Sequence, residues 1–81
     1  MDEKDILERI GDYVAEEQRL RERYQRRELS GAEEHRRLRE LEVALDRCWD
    51  LLRRRRARRE AGQDPDDAEP RPAGEVEDYL Q

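Results

Sequence analysis

The chain has 81 residues, of which 51% are charged and only 33% hydrophobic, with no phenylalanine and a single cysteine. This composition excludes a large enclosed core, an internal disulfide and the run of ~20 apolar residues that a membrane-spanning helix needs. One small domain is the upper limit, and a chain of this kind gains stability by zipping apolar stripes together or by pairing with a second copy.

The net charge of −5 is unevenly spread. Residues 62–81 carry seven acids and one arginine, a net −6, which leaves +1 for residues 1–61. The acidic start from Met1 to Asp5 lacks the basic and then apolar pattern of a secretory signal. A cytoplasmic protein with no membrane attachment and a reduced Cys48 is therefore expected.

The first predicted helix covers residues 2–27. Ile6, Ile10, Tyr13, Glu17, Leu20 and Tyr24 follow alternating spacings of four and three, which places them on one helical stripe. Leu7 and Val14 widen the stripe on one side. Acids at Asp2, Glu3 and Asp5 and bases at Arg26 and Arg27 complement the helix dipole. Gly11 costs about 1 kcal/mol relative to alanine, too little to break a stripe of this quality.

Residues 28–30 are read as a turn. Ser30 and Glu33 have capping-box spacing, the serine accepting from the Glu33 amide and the glutamate reaching back to the Ser30 amide. The second predicted helix runs over residues 31–61 and stops at Gly62. Its stripe is Leu38, Leu41, Leu45, Cys48 and Leu52, and the cationic block Arg53, Arg54, Arg55, Arg56, Arg58 and Arg59 follows without a break. Glu17–Arg21, Glu22–Arg26, Glu33–Arg37 and Asp50–Arg54 are acid-first pairs four residues apart, each contributing a few tenths of a kcal/mol.

So short a connection folds the helices back into an all-α antiparallel two-helix hairpin, coiled-coil-like, with facing residue numbers summing to roughly 59. The expected layers are Leu20 with Leu38 and Leu41, Tyr13 with Leu45, Ile10 with Cys48 and Trp49, and Ile6 with Leu52. One hairpin leaves Leu7, Val14, Ala44 and Leu51 beside the seam without cover. The expected cover is a second copy, in a homodimer that forms a four-helix bundle; the alternative is a marginal monomer covered by its own C-terminal segment.

Beyond Gly62, three prolines and many acids predict a mostly disordered tail over residues 62–81. Val76, Tyr79 and Leu80 have the spacing of one helical turn within residues 75–80. That tail would fold over the basic helix end or present its apolar trio as a short peptide ligand.

Catalytic chemistry has little material. His35, the single histidine, lies 13 residues from Cys48, which is roughly 20 Å along a helix and too far for a nucleophile–base pair. No zinc, di-iron or phosphate-loop pattern occurs, so neither a cofactor nor a metal is expected. Cys48 and Trp49 read chiefly as packing residues, with a thiol-dependent regulator as the weaker alternative. The arginine block reads first as locally neutralised by Asp2, Glu3, Asp5 and the tail acids, secondly as a contact for a protein partner with an acidic surface, and thirdly as a salt-sensitive nucleic-acid contact.

The motif formed by Leu41, Glu42, Val43, Leu45, Asp46 and the run Cys48-Trp49-Asp50-Leu51-Leu52-Arg53, together with Arg55, Arg56, Ala57, Ala61, Gly62, Asp64, Pro65 and the ending Val76, Glu77, Tyr79, Leu80 and Gln81, resembles a family of short actinobacterial proteins known only as a domain of unknown function. Ile6, Leu7 and the Glu28-Leu29-Ser30 turn also fit, so the resemblance covers essentially the whole chain; Arg54 departs from it, standing where a glutamine is expected. The resemblance implies a small, mostly helical cytoplasmic protein and brings no activity or catalytic residue. The functional expectation is a non-enzymatic protein-interaction module acting through Ile6, Ile10, Tyr13, Leu20, Leu38, Leu41, Leu45, Cys48, Trp49 and Leu52.

Overall fold

The computed structural model describes residues 1–72. Two antiparallel α-helices, α1 (Glu3–Gln25) and α2 (Gly31–Glu60), form a hairpin, and a single 3-10 turn (Pro65–Asp67) follows. Residues 73–81, and with them Val76, Tyr79 and Leu80, lie outside the described residues.

Helix α1 starts where its acids dictate. Asp2 is the N-cap: the Asp5 amide donates to Asp2 Oδ1 at 2.8 Å and the Asp2 amide donates to Asp5 Oδ2 at 3.2 Å, a reciprocal capping box. Ser30 caps α2 by accepting from the Glu33 amide at 3.1 Å. Both helices end in the same motif. The Arg27 and Glu28 amides donate to the Tyr24 and Arg23 carbonyls, and the Gly62 and Gln63 amides donate to the Arg59 and Arg58 carbonyls.

The motif requires a left-handed residue at its bend. Gly62 supplies it with φ 75° at no steric cost, whereas in α1 the position falls to Arg27 at φ 60°. Ending the helix this way takes Arg26 and Arg27 out of it, so α1 stops at Gln25.

The predicted seam forms. Ile6, Ile10, Leu20, Leu41 and Leu52 are buried, and Leu45 and Cys48 pack against the cluster that contains Ile6, Ile10 and Leu52. Tyr13 and Leu38 are half-buried. Arg56 Nε donates to Glu3 Oε1 at 2.7 Å across the helices, two positions whose numbers sum to 59 as the register requires. Fully burying each leucine or isoleucine contributes roughly 1.5–3 kcal/mol.

Two of the expected neighbours are placed differently. Trp49 stands outside the buried cluster that holds Ile10: it follows Cys48 by one residue, a rotation of about 100° around α2, and is 42% exposed. Leu51 is not left bare but only 5% exposed. The segment after Gly62 turns back along α2, burying Ala68 in the core cluster beside Ile6, Leu51 and Leu52.

Of the acid-first pairs, Arg21–Glu17 forms at 3.2 Å and Arg54–Asp50 at 3.4 Å. Arg26, now a cap residue, turns to Glu28 at 3.5 Å, and Arg37 turns to Glu40 at 3.7 Å.

Candidate interaction site: the two flanks of the hairpin

The apolar residues beside the seam divide between two flanks. On the first, Pro70, Ala44, Leu51, Cys48, Ile6 and Tyr13 surround a small cavity of about 110 Å³ where the C-terminal segment crosses the helices. Arginines of α2 hold that segment by its backbone and acids. Arg47 Nε donates to the Arg71 carbonyl at 2.9 Å, and Arg55 Nη1 donates to the Pro65 carbonyl at 3.2 Å and to Asp66 Oδ1 at 2.9 Å.

Asp50 adds an ionic clasp. It lies half a turn around α2 from Leu41, yet it is only 1% exposed. Its Oδ2 stands 3.4 Å from Arg54 Nε and 3.6 Å from Arg71 Nε, without hydrogen-bond geometry to either. A carboxylate withdrawn this far from water is stable only with cations close by. Asp50 therefore couples the segment at Arg71 to the middle of α2.

No segment among the described residues crosses the second flank. Glu3 and Leu7 are four residues apart on α1, and Trp49 and Arg56 are seven apart on α2, so each pair shares a face of its helix. The Glu3–Arg56 bond brings the two faces to the same side of the hairpin. There Leu7 is 45%, Val14 44% and Trp49 42% exposed. Gly11 lies between Leu7 and Val14 on that helix, with nothing within 4 Å of the Cβ it lacks.

The arginine block is largely spent within the chain. Arg54 meets Asp50, Arg55 meets Asp66, and Arg56 and Arg59 share Glu3 at 2.7 and 3.6 Å. Arg58 donates to Gln63 Oε1 at 3.5 Å, and Arg53 is also engaged. The hydrogen bond from Arg56 is the chief reason that the Glu3 carboxyl titrates below its ordinary range. Asp2, for its part, bonds Asp5 instead of the block.

Cys48 is half-buried, and burial raises its thiol above the ordinary value against the opposing pull of Arg9 and Arg47. A thiol pushed that way is a poorer nucleophile at neutral pH. His35 is exposed near the turn. Among the described residues no group of three or more His, Cys, Asp or Glu side chains could hold a metal ion, and no helix is long and apolar enough to cross a membrane.

The sequence-predicted residues of the association surface thus fall into two places. Ile6, Ile10, Leu20, Leu41, Leu45, Cys48 and Leu52, with Tyr13 and Leu38 at the margins, form the seam inside one chain. Trp49 joins Leu7 and Val14 outside it. Ala68, Arg71 and the buried Asp50 were not singled out by periodicity, because a methyl group, a backbone carbonyl and an acid in a charged helix carry no periodic signal.

A helical hairpin with one flank closed by its own C-terminal segment defines a small all-α protein. Residues 2–81 match the profile of the family described as "Protein of unknown function (DUF2630)", and the chain belongs to that family. It is 48% identical over 78 residues to "Uncharacterized protein Mb0922c" of Mycobacterium bovis and to "Uncharacterized protein Rv0898c" and "Uncharacterized protein MT0921.1" of Mycobacterium tuberculosis, an alignment that covers 96% of this chain and 90% of each relative. No solved structure matches the chain.

Proposed function

We propose that the protein is a non-enzymatic, cytoplasmic protein-interaction module whose docking surface is the flank of Leu7, Val14 and Trp49, and whose first partner is a second copy of itself. The observation that carries this reading is the contrast in cover: among the described residues the chain lays Ala68 and Pro70 over one flank and leaves an aromatic and two aliphatic side chains more than 40% exposed on the other. Aromatic anchors ringed by aliphatic contacts are the usual centre of a binding surface.

The charges beside Trp49 favour self-pairing. Glu42, Trp49 and Arg56 recur at seven-residue spacing on α2, so a two-fold axis near Trp49 sets Glu42 of one copy against Arg56 of the other. A stable complex buries about 800 Å² per partner, an area that fits on the broad side of a molecule 51 × 25 × 15 Å in extent. The product is a four-helix bundle with the C-terminal segments on its outside.

Light scattering across a concentration series tests the pairing. Wild type should run as a dimer at micromolar concentration, and Val14→Asp combined with Trp49→Ala should weaken dimerisation by ~30-fold or more. A wild-type protein that stays monomeric throughout the series would sink the reading. The alternative, nucleic-acid binding through Arg53, Arg54, Arg55, Arg56, Arg58 and Arg59, is weaker because Glu3, Asp50 and Asp66 already occupy much of that block.

A further inference from the structure

The turn end of the hairpin carries arginines in a different state from those of the block. Between the last turns of α1 and the first turns of α2 lies a cleft of about 470 Å³, within the size range of small-molecule sites. Arg19 and Arg23 line it from α1, and Arg36 and Arg37 from α2. Its acids are Glu16 and Glu33, and Leu20 and Leu29 supply an apolar floor.

Four guanidinium groups against two carboxylates leave this hollow positive on a protein whose net charge is −5. Arg23 and Arg37 have partners, Glu28 at 3.5 Å and Glu40 at 3.7 Å, and both of those acids lie outside the cleft lining. Arg19 and Arg36 form no ion pair among the described residues. Arg23 and Arg36 also stand at the same level of the hairpin, since their numbers sum to 59, as do those of Glu3 and Arg56. Like charges on facing helices repel, and an anion between them removes that cost.

We propose that this cleft binds a phosphate-bearing small molecule, with the phosphate held by Arg19 and Arg36 and the rest of the ligand resting on Leu20 and Leu29. Guanidinium forks match phosphate oxygens in pairs, which a lysine-lined cleft would not do. Glu16 and Glu33 on the walls disfavour a long polyanion, which could not avoid them, whereas a single phosphate group can. The site is independent of the dimer flank, because none of its lining residues belongs to it.

Titration of the full-length protein with AMP, followed through the arginine Nε signals by NMR at low ionic strength, tests the site. Inorganic phosphate, adenosine and a duplex oligonucleotide serve as the other probes. AMP should shift the Arg19 and Arg36 signals saturably below about 10 mM. The pair Arg19→Gln and Arg36→Gln should weaken that binding roughly tenfold or more, while Arg58→Gln leaves it unchanged. Inorganic phosphate binding as tightly as AMP would support the oxyanion contact and assign the ligand to the free ion, not to an ester. Adenosine binding equally well, no saturation by either phosphate probe, or a duplex shifting the residue 53–59 signals in preference to Arg19 and Arg36 would each overturn the proposal.

Discussion

The two flanks of this hairpin start from similar sequence material and end in different states. Ala44 and Leu51 on one side, Leu7 and Val14 on the other, are all apolar residues one step off the seam stripe. Leu51 is sealed under a segment containing Ala68 and Pro70, while Leu7 and Val14 face outward with Trp49. The difference lies in what α2 offers the returning chain. Arg47, Arg55 and Asp50 project where residues 65–71 pass, and they supply a donor, a fork and a counter-charge in turn. On the bare flank Arg56 and Arg59 reach across to Glu3, a contact between the helices that gives a returning chain no hold. A chain with so thin a core closes one side with its own backbone, and the proposed pairing would close the other.

Leucine truncation separates the flanks most widely. Leu51→Ala should cost about 2–4 kcal/mol by chemical denaturation, because the side chain is 5% exposed and the cavity it leaves is roofed. Val14→Ala, on a residue 44% exposed, should cost under about 0.5 kcal/mol in dilute monomer and more as concentration rises. Shortening the chain to residues 1–62 should abolish most of the Leu51→Ala penalty, since the roof has gone. Equal penalties at Leu51 with and without the segment would break the comparison.

Removing the clasp is the next largest effect. Asp50→Ala leaves Arg54 and Arg71 facing each other without their shared carboxylate. Those side chains are 26% and 37% exposed and can turn to water, so about 1–3 kcal/mol is expected, less than for a fully buried pair. The same change should speed hydrogen exchange of the Ala68 amide, which donates to the Pro65 carbonyl at 3.1 Å. An unchanged exchange rate would show that the hydrogen bonds from Arg47 and Arg55 hold the segment without Asp50.

Changes at the helix ends and at Gly11 refine the picture with little disturbance of either flank's packing. Arg27→Gly relieves a left-handed arginine and should stabilise by ~1 kcal/mol, while Gly62→Ala should destabilise by a similar amount. Gly11→Ala should stabilise the monomer by about 0.5–1 kcal/mol, since a new methyl there meets nothing. In the proposed dimer its effect would read out how closely a second copy approaches that strip. A Gly11→Ala protein with higher thermal stability and weaker self-association would place the contact directly on α1.

Much of the architecture was legible because two signals with different physics agreed. Apolar spacing placed Ile6, Ile10, Leu20, Leu41 and Leu52 on facing stripes, and the Ser30 cap set the turn that fixes their register. The helix stop at Gly62 was readable because only that residue type takes positive φ without strain. Arg27 holds the equivalent position in α1 with no such marker, which is why that helix ends earlier than its charge pattern implies. Trp49 was misplaced because an aromatic next to a seam residue reads as core, although one step along a helix rotates it out of the layer. The docking of residues 63–72 was illegible for another reason: prolines and acids signal a loop, and what anchors a loop here is a carbonyl, a methyl group and long-range charge. The cleft at Arg19 and Arg36 was hidden in the same way, since arginines in a half-charged helix look like solvated surface.

The smallest expected effect concerns acid and tests the tie along the bare flank alone. Glu3 is held below its ordinary value of 4.5, chiefly by the hydrogen bond from Arg56, and Asp2 below 3.8, chiefly by the Asp5 amide. A carboxyl whose pKa is depressed by folding contributes stability that is complete above its unfolded value and is lost as pH falls through the folded one. The thermal midpoint should therefore decline on acidification below about pH 4.5, and Glu3→Gln should flatten the upper part of that decline. Both carboxylates face solvent, so added salt should shrink the difference between Glu3→Gln and wild type. The ties of the covered flank provide the contrast: Arg47 and Arg55 bond backbone carbonyls at Arg71 and Pro65 that do not titrate. The Ala68 amide should accordingly keep its protection from hydrogen exchange across the pH interval in which Glu3 releases Arg56, and loss of that protection at the same pH would mean that the two flanks open together.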